Sequence, residues 1–123
     1  MNLVDSSGWI EYTTDQKNAG FFSKALNDIE NLLVPTVCLY EVFKRVFREF
    51  GEERALEVAG LMTLGQVIDL DRQTAISAAQ ISLELKLAMA DSIILAIARE
   101  HDATLWTQDE HFKNLPDVKF IEK

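Results

Sequence analysis

Four acidic residues stand where apolar stretches begin or end. Asp5 follows Asn2-Leu3-Val4, and Asp109 follows Thr104-Leu105-Trp106-Thr107-Gln108. Asp91 opens the apolar run Ile93 to Ala98, and Glu41 lies early in the two-faced segment behind Leu32-Leu33-Val34. A carboxylate at such a place can cap a helix, move a proton or hold a cation. Capping is the bland reading for Asp91, because Asp favours helix N-termini. The same grammar at four distant places calls for a common explanation.

The elements around these acids follow from hydrophobic periodicity. Leu3-Val4 reads as a buried strand, Ser6-Ser7-Gly8 as a turn, and Trp9 to Tyr12 as the start of a short helix. Phe21, Phe22, Ala25, Leu26 and Ile29 recur at helical spacing, so a helix is expected over about 17–28. Leu32-Leu33-Val34 is a second buried strand, stopped by Pro35. Residues 36–50 form a strongly amphipathic helix with Leu39, Val42, Phe43, Val46, Phe47 and Phe50 on its apolar stripe. Gly51 ends it, and a second helix to about Met62, with Ala55, Leu56, Val58 and Ala59 inward, completes an αα-hairpin. Val67-Ile68 is a short strand. Asp71 caps a helix of about 72–86, expected to bury Ala75, Ile76, Ala79, Leu83 and Leu87 or their neighbours. The helix from Asp91 is apolar all round and therefore buried. A turn at His101-Asp102, a strand at 104–107, a short segment ending in Phe112 and an edge strand at 118–121 close the chain. Strands alternating with helices, without hairpin signals, imply a three-layer α/β/α sandwich with a mostly parallel sheet, organised as one domain over 1–123.

In such a sheet ligands bind beyond the C-terminal ends of the strands. Asp5 and Asp109 follow strands, while Asp91 and Glu41 lie in the first turns of helices that start on that same side. All four carboxylates are thus expected on one rim. Clustered carboxylates repel, and a hard divalent cation relieves the repulsion. Oxygen-only ligands point to Mg²⁺ or Mn²⁺ rather than Zn²⁺. Mg²⁺ retains waters and is completed by substrate phosphate. A metal at the rim would also reconcile phosphate binding with a net charge of −8 and a pI of about 4.7, which otherwise argue against a simple nucleic-acid binder. The 123 residues with 48% apolar content suffice for a real core. The single cysteine, Cys38, excludes an intrachain disulfide and is expected to be a small buried hydrophobe. No apolar run is long enough for a membrane span, no signal peptide is recognisable, and the cytoplasm is the expected compartment.

Val4-Asp5-Ser6-Ser7, the helical Glu41, Ala90-Asp91-Ser92-Ile93-Ile94-Leu95-Ala96-Ile97-Ala98 and Leu105-Trp106-Thr107-Gln108-Asp109-Glu110-His111-Phe112 together resemble a PIN domain, and at this length a VapC-type toxin of toxin–antitoxin pairs. The resemblance spans essentially the whole chain. It implies a metal-dependent endoribonuclease whose acidic quartet falls on Asp5, Glu41, Asp91 and Asp109. Asp5, Asp91 and Asp109 would hold Mg²⁺ or Mn²⁺, and Glu41 would bind metal or act as base. The family's hydroxyl that orients the first Asp falls on Thr107, with Ser6 as a second polar helper. Homodimers and a cognate antitoxin are the partners it implies.

Several residues carry two readings. Glu41 with Lys44 and Arg45 has the spacing of solvated helix ion pairs; the sharper reading has Lys44, Arg45 and Arg48 holding RNA phosphates. Trp9 and Trp106 are expected in the core. His101 and His111 lack metal-ligand partners at useful spacing and are assigned surface or turn roles. Glu110 is a spare ligand, although a strand end aims only one acid well. Phe43, Phe47 and Phe50 are more rings than one small domain buries on one helix face, which points to a covering partner. A phosphoacceptor receiver module would also place acids at strand ends. It needs a second acid beside Asp5, where Ser6 stands, and a lysine after the last strand, whereas Lys119 lies inside it. A non-catalytic PIN-like scaffold is opposed by the completeness of the quartet.

Overall fold

The computed structural model describes residues 1–123. Five strands, β1 (Asn2–Val4), β2 (Leu32–Pro35), β3 (Gln66–Ile68), β4 (Thr104–Thr107) and β5 (Val118–Phe120), form one sheet in the order β3-β2-β1-β4-β5. All four pairings are parallel. The helices are α1 (Ser6–Thr13), α2 (Ala19–Leu26), α3 (Thr36–Phe50), α4 (Glu52–Met62), α5 (Arg72–Leu85) and α6 (Met89–Glu100), with short 3₁₀ turns at Ile29–Asn31 and Glu110–Phe112. From β1 the chain steps outward through β2 to β3, then returns past β1 to β4 and β5. Right-handed crossovers therefore put α1 to α4 on one face and α5 with α6 on the other. The sandwich is the one the sequence implies. No helix is long and apolar enough to cross a membrane.

The core is built from both faces. β2 is buried at every residue, and α6 is buried without interruption from Ser92 to Ala98, as its lack of a polar face requires. Trp9, Trp106 and Cys38 are buried in the same cluster, and β5 is an edge strand.

Three local readings need correction. The turn expected at Ser6-Ser7-Gly8 is already helix, because Asp5 caps α1 by accepting from the Gly8 amide at 2.9 Å. Gly8 is required there by space: a Cβ would come within 2.5 Å of Val4 Cγ1 and 2.7 Å of the Phe22 ring. In α5 the buried face is Thr74, Ala78 and Ile81, leaving Ile76 60% and Leu83 85% exposed. The phase is set at the helix start: Asp71 caps the Thr74 amide, and the Thr74 hydroxyl donates to Glu100 of α6 at 2.9 Å. This phase turns Thr74, Ala78 and Ile81 inward and Ile76 and Leu83 outward. In α4, Ala55, Val58 and Met62 point inward while Leu56 is exposed.

Candidate metal centre

The direction of travel through the sheet reverses between β1 and β4, which are neighbours. Such a switch point opens a crevice at the strand C-termini. Asp5 directly follows β1, and Asp109 lies two residues beyond β4. Parallel crossovers bring the N-terminal ends of α3 and α6 to the same end, with Glu41 in the second turn of α3 and Asp91 in the first turn of α6. A cavity of about 400 Å³ is lined by all four acids together with Ser6, Lys44, Arg45 and Arg48.

Asp5 is the most rigidly held. It is 3% exposed. Its Oδ1 accepts from the Ser7 hydroxyl at 2.8 Å and the Gly8 amide at 2.9 Å, and its Oδ2 accepts from the Thr107 hydroxyl at 2.6 Å. Thr107 Oγ1 in turn accepts from the Asp109 amide at 2.9 Å, so one buried hydroxyl ties two of the acids together. Ser6 donates to Glu41 Oε1 at 2.6 Å. Asp91 is the third residue of α6, not its N-cap, and it accepts no hydrogen bond from the chain. The capping account of Asp91 therefore fails, whereas Asp5 and Asp109 both cap and face the cavity.

Burial pushes the Asp5 carboxyl up to about 6 against the downward pull of Thr107, Gly8 and Ser7, and the charge of Asp109 adds to the rise. Asp91 is also raised, first by burial and then by the charges of Asp109 and Glu41, with His111 opposing. Two desolvated carboxylates raised further by neighbouring acids are short of positive charge.

His111 departs from the sequence reading. The 3₁₀ turn after Asp109 folds its ring back, bringing Nδ1 to 2.8 Å from Asp109 Oδ1. Ligand atoms of Asp91, Asp109 and His111 lie within 4.8 Å of one another. The only signal for this in the sequence is the i, i+2 spacing of Asp109 and His111 behind a strand. His101 keeps its turn role, with Nδ1 against the Ile97 carbonyl at 2.9 Å, and Glu110 is exposed. Ser7 is a further residue that sequence reasoning passed over. On α3 the expected Glu41 ion pairs do not form: Arg45 pairs with Glu49 at 3.1 Å, and Lys44 lies over the Tyr40 ring.

The PIN-domain family model matches residues 3–118. The chain belongs to the PIN-domain family. No curated protein matches the sequence. Among solved structures, this PIN domain resembles a toxin–antitoxin complex from Klebsiella pneumoniae at 22% identity and TM-score 0.81, covering 97% of this chain and 96% of that one. It also resembles the sarcin–ricin-loop-cleaving toxin VapC20 from Mycobacterium tuberculosis at 17% identity and TM-score 0.76, covering 91% and 92%. A DNA-bound VapBC from Salmonella typhimurium matches at 19% identity and TM-score 0.74, covering 99% and 98%. At these identities the likeness carries the PIN fold.

The residues present fit a hard divalent cation. The donors are mainly carboxylate oxygens, with Asp5 and Asp91 raised by burial and by neighbouring acids, and Asp91 faces the cavity with no protein donor. Asp91, Asp109 and His111 bring ligand atoms within 4.8 Å of one another and could hold such an ion; Asp5 and Glu41, the latter fixed by Ser6, line the same cavity outside that group.

Proposed function

We propose that this PIN domain is a Mg²⁺- or Mn²⁺-dependent endoribonuclease, the toxin of a VapBC-type toxin–antitoxin pair. The observation that carries the reading is the meeting of Asp5, Glu41, Asp91 and Asp109 on one cavity beside exposed cations. A bound divalent cation would polarise the scissile phosphate, acidify an attacking water and offset charge on the leaving oxygen. The chain's own part is positioning. Thr107, Ser7 and Gly8 fix the Asp5 carboxylate, so no rotamer search is left for the reaction. Ser6 aims Glu41, whose second oxygen is free to accept a proton or join the ligand set. Lys44, Arg45 and Arg48, along one side of α3, bind RNA phosphates on either side of the cut. They make the phosphate contacts that the acidic surface elsewhere discourages.

Two apolar surfaces support the partner assignments. A groove of about 710 Å³ beside the site is lined by Leu39, Tyr40, Phe43, Phe47 and Ala59, and Phe47 and Phe50 are 44% and 56% exposed. This groove is proposed for the antitoxin. Ile76, Leu83 and Met89, exposed around α5, are proposed for a second copy of the chain. The cytoplasm, where RNA and free thiols coexist, is the proposed compartment.

Incubation of purified protein with structured RNA tests the reading. Cleavage is expected with Mg²⁺ or Mn²⁺ and should disappear in EDTA. Cleavage that survives thorough chelation would contradict it.

A further inference from the structure

We propose that His111 is a ligand of the same cation, through Nδ1, and that it tilts the site from Mg²⁺ toward Mn²⁺. The inference rests on the metal-site reading above and adds an imidazole to it. Two donors at right angles on one ion, each about 2.1–2.2 Å away, lie about 3 Å apart. His111 Nδ1 and Asp109 Oδ1 are 2.8 Å apart, close to that bite. The Asp91 carboxylate completes a group whose ligand atoms all lie within 4.8 Å, near the span of two donors on opposite sides of one ion.

The backbone that carries the ring is placed by the fold. The His111 amide donates to the same Asp109 Oδ1 at 2.9 Å. Phe112, the next residue, is fully buried and anchors the 3₁₀ turn. The imidazole itself is 71% exposed, so an ion from solvent reaches Nδ1 without displacing protein. A ligating Nδ1 carries no proton, so the ring would bind the cation as the neutral tautomer with its proton on Nε2. Mg²⁺ favours an all-oxygen shell, whereas first-row transition ions accept imidazole more readily. The nitrogen therefore favours Mn²⁺.

Calorimetric titration with Mn²⁺ and Mg²⁺, together with pulsed EPR of the Mn²⁺ complex, tests this on the wild type, His111→Gln, His111→Ala and Asp91→Asn. The wild-type complex should show nitrogen hyperfine coupling that both His111 variants lose. Mn²⁺ binding in those variants should weaken at least about tenfold, and Mg²⁺ binding much less. A wild-type complex without nitrogen coupling, or with coupling unchanged in the variants, overturns the role of His111 and leaves the carboxylate site standing. A wild type that binds neither ion, or binds both unchanged after Asp91→Asn, overturns the site reading itself.

Discussion

Asp5→Asn should make the metal-free protein more stable while abolishing its chemistry. An Asp5 carboxyl displaced from 3.8 to about 6 by burial corresponds to about 3 kcal/mol, at about 1.4 kcal/mol per tenfold change in ionisation constant. The sign follows from proton binding. Between 3.8 and about 6 the folded chain holds a proton that the unfolded chain has released, so stability falls as pH rises through this window. Above it, the folded state carries the full cost. Asparagine removes the charge and keeps the shape. Its carbonyl can still accept from Ser7 and Gly8, but its amide forces the Thr107 hydroxyl, now donating at 2.6 Å, to become an acceptor. That reversal loses about 1 kcal/mol, leaving a net gain of about 2 kcal/mol near neutral pH. Unfolding entropy of about 2.1 cal/mol/K per residue amounts to about 0.26 kcal/mol/K for 123 residues. Tm should therefore rise by about 8 °C near pH 8. The gain should shrink as pH falls toward 4. Mn²⁺ at a hundred times its Kd should add about 2.7 kcal/mol to the wild type and much less to the variant. Calorimetric melting across pH, with and without Mn²⁺, reads all of this. A variant that melts no higher than wild type near pH 8 without metal would refute the reasoning, as would a gap independent of pH.

Thr107→Val removes the hydroxyl shared by Asp5 and the Asp109 amide; cleavage should fall about 10- to 100-fold, with a larger effect on kcat than on KM. Gly8→Ala drives a methyl into Val4 and Phe22 and should cost about 1–3 kcal/mol, read by urea denaturation. Sedimentation should report a particle of twice 13.9 kDa, and Leu83→Glu, on the exposed face of α5, should return it to the single-chain mass.

The strands and the acids at their ends were legible because each is announced locally. A buried apolar run followed by a carboxylate survives any choice of helix phase. α6 was legible for the same reason: with every side buried from Ser92 to Ala98, rotation changes nothing. Helix phase was also legible in α2 and α3, where Phe22, Ala25, Leu26, Val42 and Val46 are buried as expected, but not in α5. On α5 the stripe of Ile76 and Leu83 reads as core from hydrophobicity alone, yet the Asp71 cap and the bond from Thr74 to Glu100 rotate it outward. These are tertiary constraints that single-sequence periodicity does not contain. His111 escaped for a related reason: metal-ligand spacing is sought within helices and loops, while here a 3₁₀ turn folds the ring back onto the residue two before it. Asp91 shows the reverse. Its capping role looked plausible in sequence, and a helix start two residues earlier, at Met89, removes it.

The central claim is that these carboxylates form one metal-dependent nuclease site, and Asp91→Asn tests it most directly. Asp91 takes no hydrogen bond from the protein and caps nothing, so its loss should leave the fold intact. Wild type and variant, purified identically and shown by calorimetry to melt alike or with the variant higher, would be assayed on the same RNA in Mn²⁺. Cleavage is expected from the wild type and, in the folded variant, a loss of at least about a hundredfold. Equal cleavage by the two proteins would contradict the account.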